Sequence, residues 1–268
     1  MTTTTGFSAA PGGGALARQM IGAEILKLRR NRAVMGLAFV LSIGIVLLFF
    51  GYTAIEHASN PATNGPAGGV LNFQRAVRAL GLIFGALTAA LIGTEAGTAD
   101  LSSGVFRDLV ATGRSRLSLF SVRAPAATIV TLAFTGVGFL IALAASFVFA
   151  GSLPTPGLSF ILQSAAWIVV SNALLVGFAV GVGSLTGSRA LTLTAVIGWQ
   201  AIVTEMLLSV TSLGSARDGL LTPALSQLAP FNINTGVTMA TGVAVAVAVA
   251  WLLVPAAVGA WRTSTRDA

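Results

Sequence analysis

The sequence predicts an all-α membrane protein built on six transmembrane helices, and three observations carry that prediction. Of 268 residues, 55% are hydrophobic and 9% charged, with a mean hydropathy of +0.89, a composition far outside that of water-soluble domains. Runs free of Asp, Glu, Lys and Arg reach the roughly 20 residues that a helix needs to cross a hydrocarbon core of about 30 Å. The basic residues fall in short segments between those runs. That is how an inner-membrane protein orients itself, and it leaves no exposed basic stripe for nucleic-acid phosphates.

Taken in order, residues 1–14 (MTTTTGFSAAPGGG) hold no apolar run and read as a disordered tail, which leaves 15–268 as a single membrane domain. In the segment AEILKLRRNR, 23–32, Ile25 and Leu28 share one helical face with Ile21 beside a basic cluster. This suits a helix lying in the membrane interface with its arginines on anionic headgroups. Spans are expected at 33–55, 76–94, 124–150, 158–187, 190–213 and 236–260. The second is the shortest: the stretch between Arg78 and Glu95 is about 24 Å of helix, which snorkelling by Arg75 and Arg78 would extend. The Val/Ala alternation from Val243 to Val249 has the period of a strand, but inside an apolar run of span length it is assigned to helix. With both termini cytoplasmic, every Lys and Arg except Arg75, Arg78 and Arg217 lies on the cytoplasmic side. The positive-inside rule therefore orients the chain in the cell membrane.

The chain has no cysteine and one histidine, His57, beside Glu56 at the outer end of the first span. No thiolate or two-histidine metal site can form within it, and no metal is expected. The only lysine, Lys27, lies in AEILKLRR rather than in the glycine-rich G-x-x-x-x-G-K-[ST] loop that cradles phosphates, and a G-x-S-x-G elbow is absent. No catalytic residue and no cofactor are expected in this chain.

Glu205 is the one acid well inside an expected span, where a carboxylate is costly unless it is paired, protonated or facing water. On a regular helical wheel Thr194, Gly198, Ala201, Glu205, Ser209 and Ser212 share a face opposite Val196, Trp199, Val203, Met206, Leu207 and Val210, and Gln200 does not fit the division. One reading makes this face a translocation path with Thr194, Glu205 and Ser209 on it. The other makes it a packing seam in which Glu205 pairs with a neighbour such as Arg217. Gly177 and Gly181 form a G-x-x-x-G pair, and Gly183 and Gly187 another, suited to close helix packing or to a dimer contact.

The loop GTEAGTADLSSGVFRDLVATGRSRLSLFSVR, Gly93 to Arg123, resembles that of type-2 ATP-binding-cassette (ABC) permeases. In that family an acid ends the second span, a short helix follows, and a Gly/Pro-x-Ser-Arg turn precedes the third span. Here Glu95, Ser103 to Val110, and Gly113 to Arg116 take those places, and Glu24 and Lys27 are similar to the Glu-x-x-Lys of the family's N-terminal elbow helix. The segment GLLTPALSQLAPFNIN, 219–234, looks like the family's re-entrant region. The sequence departs from the pattern at Val105, usually Thr, at Arg123, usually Lys, and in extra residues between Glu95 and Gly104.

The resemblance implies a permease subunit that exports a hydrophobic or amphipathic cargo, such as a drug, antibiotic, peptide or lipid. It implies a second permease subunit, and separate ATPase subunits that bind ATP and Mg. It also implies a cytoplasmic coupling helix over Gly104 to Thr112. There Phe106, Leu109 and Val110 fall at i, i+3 and i+4 on one face suited to docking, with Arg107 and Asp108 flanking it. Two alternatives stay open: an ion-coupled secondary transporter, and a non-transporting assembly or immunity protein.

Overall fold

The computed structural model describes residues 13–111, 113 and 115–265, without the side chains of residues 13, 106 and 107. Of the expected tail only 13 and 14 are included, and both lie in a helix. The side chains of Phe106 and Arg107, and all of Thr112, Arg114 and Arg266, lie outside the described residues.

The described residues contain no strand. The helices are α1 (Gly13–Arg30), α2 (Arg32–Ser59), α3 (Gly69–Ser102), α4 (Val105–Ala111), α5 (Arg116–Val148), α6 (Leu158–Thr186), α7 (Arg189–Ser209), α8 (Leu221–Gln227) and α9 (Thr241–Thr265). Of these, α2, α3, α5, α6, α7 and α9 are the six long and apolar enough to cross a membrane. Local chemistry sets several boundaries. Asn31 caps α2 by accepting from the Val34 amide at 3.3 Å, and Ser115 caps α5 by accepting from the Ser118 amide at 3.1 Å. Gly187, at φ +66°, ends α6 in the left-handed conformation, and Ser188 caps α7 immediately after it, so these two spans are joined by a tight turn.

The largest departure from expectation is the second span. In place of 76–94 it is a 34-residue helix, about 51 Å long and longer than a hydrocarbon core is thick. Neither its arginines nor its acids end it: Arg75 donates to Asn72 Oδ1 on the same helix at 3.0 Å, while Glu95 and Asp100 meet cations from other helices. The fifth span is shorter than expected. It stops at Ser209, and the chain continues as a 3₁₀ stretch, Thr211–Gly219, broken at Gly214. The Val243 to Val249 segment lies in α9, as expected.

Three π-helical stretches interrupt the spans: Val40–Gly44 in α2, Ala79–Ile83 in α3 and Trp199–Val203 in α7. Each adds a residue to its turn, rotating the remainder of its helix by roughly 100° relative to a regular one. Polar side chains meet the disturbed backbone in two of them. Asn172 of α6 donates to the Leu80 carbonyl at 3.3 Å, and the Thr204 hydroxyl donates to the Trp199 carbonyl at 2.9 Å.

The centre of the bundle is the α3–α6 pair: 67% of an apolar 18-residue stretch of each is buried, against 17% for α7 and α9. Small residues permit the approach: a Cβ added to Gly97 would lie 3.1 Å from the Gly183 Cα, closer than packed carbons sit. On the other side of α6, Gly181 is packed against Pro255 and Gly259 of α9, and Gly177 against Leu252. The glycine faces considered for a dimer contact are thus filled within the chain, because α3 and α9 flank α6. The fourth glycine, Gly187, serves as the helix cap.

At one end of the bundle Phe73, Phe139, Trp167 and Ile233 belong to an aromatic cluster against which Phe231 packs. There Trp167 donates its indole N–H to the Leu225 carbonyl at 2.8 Å, holding α8 and its buried Leu221 and Leu225 against α6.

Candidate functional site

Two regions at opposite ends of the long helices concentrate the polar side chains. The first is a charged cluster where α1, α3, α5, α6 and α7 converge. Lys27 of α1 reaches both carboxylate oxygens of Asp100 of α3, at 2.9 and 3.1 Å, and also pairs with Glu24 one turn back. Asp100 is shared by Arg123, at 3.1 Å, which begins the apolar part of α5 and is wholly buried (0% exposed). Arg123 also points at the Ser184 hydroxyl of α6, 3.4 Å away. Beside them Glu95 of α3 accepts from the Asn31 amide at 2.8 Å and pairs with Arg189 of α7 at 3.2 Å. Burying a guanidinium is tolerable only with a carboxylate at contact, so the Asp100–Arg123 pair fixes how α3 and α5 meet.

The second region is a two-lobed cavity between α3 and α7. Its apolar lobe, about 210 Å³, is walled by residues such as Ala86, Leu87, Ala90, Leu175 and Val196. Its polar lobe, about 280 Å³, is lined by Arg78, Thr222, Ser226, Asn234 and Thr235 among others. Leu82, Ile83, Gln200 and Glu205 belong to both. The shared residues come from, or lie just beyond, the π-helical turns of α3 and α7, so the irregular turns of the two helices wall one space. Among the described residues Glu205 makes no ion pair, and the Gln200 side-chain oxygen is buried without a hydrogen-bond partner. Glu205 stands one turn from the end of its helix, nearer the bundle end than the expected span allowed. A larger depression of about 680 Å³ on residues 226–238 has no charged residue on its wall.

The expected site residues divide among these regions. Glu24 and Lys27 join the charged cluster. Glu205 faces the cavity, whereas Thr194 is exposed, and Ser209, also exposed, turns its hydroxyl back to the Met206 carbonyl at 2.7 Å. The pairing of Glu205 with Arg217 is not found; Arg217 donates instead to the carbonyls of Gly214 and Leu208. Gly104, at φ +75°, turns the chain between α3 and α4, and α4 carries Asp108, exposed, with Leu109 and Val110, both half-buried. His57 meets the Asn64 carbonyl at 2.7 Å. No group of three His, Cys, Asp or Glu suited to a metal occurs among the described residues.

Sequence reasoning left Asp100, Arg123, Asn31 and Arg189 unassigned. A signal existed in GTEAGTAD, where Glu95 and Asp100 sit among Gly, Ala and Thr. Such small residues bring helices close, and an acid among them needs a cation from the neighbour.

Compared with known proteins, the chain matches no family model, no curated protein and no solved structure.

Proposed function

We propose that this chain is the membrane-spanning permease subunit of an ABC exporter of hydrophobic or amphipathic cargo, working with a second permease subunit and with separate ATPase subunits. The observation that carries the reading is the charged cluster. Glu24 and Lys27 of the elbow-like α1, Asp100 near the end of α3 and Arg123 of α5 are joined by ion pairs, and α4 follows α3 directly after Gly104. A push on α4 by an ATPase would be carried through Asp100 to α1 and α5, and through Glu95 and Arg189 to α7. In this reading the charged end is cytoplasmic, α1 lies in the interface, α4 is the coupling helix, and Glu205 lies on the translocation path.

The test is to combine Phe106→Asp with Leu109→Asp. The double variant is expected to insert normally, to lose the ATPase in pull-down and to lose cargo-dependent ATP hydrolysis, since removing an apolar anchor commonly costs at least roughly 2 kcal/mol of binding. Survival of both activities overturns the coupling role. Because the chain has no cysteine, its orientation can be read with single replacements. Cysteine at Ser59 or Ser215 should react with an impermeant thiol reagent from outside, and cysteine at Ser102 should not.

Glu205, which makes no ion pair among the described residues, favours a second reading, an ion-coupled transporter with Glu205 as the coupling acid. Transport abolished by a protonophore in vesicles that contain no ATPase would select it.

A further inference from the structure

We propose that the cavity between α3 and α7 binds a zwitterionic amphiphile, its cationic centre on Glu205, its anionic group on Arg78 and its tail in the apolar lobe. This deepens the preceding reading by naming a cargo class for the Glu205 site.

The order of residues along the two helices carries the argument. On α3 the cavity wall runs from Arg78 through Leu82 to Ala90, and on α7 from Leu208 through Glu205 to Val196. From Arg78 to Ala90 is about 18 Å along a helix. The space therefore changes from charged to apolar in one direction, toward the middle of both helices. Glu205 of α7 and Arg78 of α3 both line the polar lobe, and neither has an ion-pair partner among the described residues. A ligand with one charge would meet one wall favourably and the other unfavourably. A zwitterion answers both, and its head would sit one turn from the end of α7, near headgroup depth, with its tail toward the bilayer centre.

The test uses the full chain, without ATPase, in non-ionic maltoside micelles. A single cysteine at Ala201 on the cavity wall carries an environment-sensitive fluorophore. Three probes with equal dodecyl tails are titrated: a dodecyl sulfobetaine, whose ammonium lies nearer the tail than its sulfonate, dodecyl sulfate and dodecyltrimethylammonium. The zwitterion is expected to bind about tenfold more tightly than either singly charged probe, one charge contact corresponding to roughly that factor. Glu205→Gln should reduce it to the level of the anion, and Arg78→Gln to the level of the cation. Equal binding of all three probes, or a preference unchanged in both variants, overturns the proposal. If Glu205→Gln does not accumulate, Arg78→Gln decides alone, since that residue is exposed and packs no core. Membrane lipid that co-purifies with the chain and is lost in Arg78→Gln identifies the occupant as a lipid; probe binding to chain that carries no such lipid identifies a soluble amphiphile. Loss of ATPase pull-down would leave this binding result untouched, so the two readings fail separately.

Discussion

The two ends of α3 and α7 treat charge in opposite ways. At one end the helices are tied by Glu95 and Arg189, and next to that pair Asp100 is shared between Lys27 and Arg123. At the other end the same two helices carry Arg78 and Glu205, facing one cavity with no pair between them. The difference comes from packing. Where Arg123 is fully enclosed, an unmatched charge would cost more than the fold can offset, so Glu95 and Asp100 are each met by a cation from another helix. Where Arg78 and Glu205 are exposed to the cavity and its surroundings, the charges can stay unmatched and available. One end holds the helices together, and the other is left able to interact.

The contrast can be broken most severely at the buried end. Asp100→Asn removes the carboxylate that Lys27 and Arg123 share and is expected to cost about 3–5 kcal/mol, the usual penalty for breaking a buried pair. Little folded protein should survive detergent extraction, and Asp100→Leu combined with Arg123→Leu should recover most of the yield. If Asp100→Asn melts at the wild-type temperature, the cluster does not hold α3 against α5. A smaller effect is expected at the rim. The Arg189 side chain is 43% exposed, and screening limits a pair of that kind to about 1 kcal/mol or less. The melting shifts of Glu95→Gln, Arg189→Gln and the double variant should therefore be small and fail to add if the pair is real. The smallest effect sharpens the contrast: Glu205→Gln, with no ion pair among the described residues to lose, should change stability by no more than about 0.5 kcal/mol while altering transport. A large melting shift in that variant would show that Glu205 holds structure.

The span count was legible because bilayer thickness imposes its length directly on the sequence, and the alternating Val243 to Val249 segment obeyed the same constraint. Span limits were less legible. The second span was cut short at Glu95 because an acid normally marks a membrane edge, but Glu95 and Asp100 lie on a helix that continues to Ser102 among partners far away in sequence. The face of the fifth span was misjudged for a different reason. A wheel with regular spacing cannot track the chain through the π-helical turn at Trp199–Val203. Val196, assigned to the face opposite Glu205, is buried and lines the cavity with it, and Gln200, which fitted neither face, is on its wall. Arg123 was counted among loop cations because nothing within its own segment shows that Asp100 lies against it.

The turn at Trp199–Val203 also means that Glu205 is aimed by arithmetic. A codon lost anywhere in that stretch would change no charge and would leave an ordinary, unbroken helix, yet everything beyond it would swing by roughly 100°. The acid would then leave the cavity while remaining in the sequence. In two sequences otherwise alike, a gap of one residue at this point would separate a cavity walled by a carboxylate from one without it.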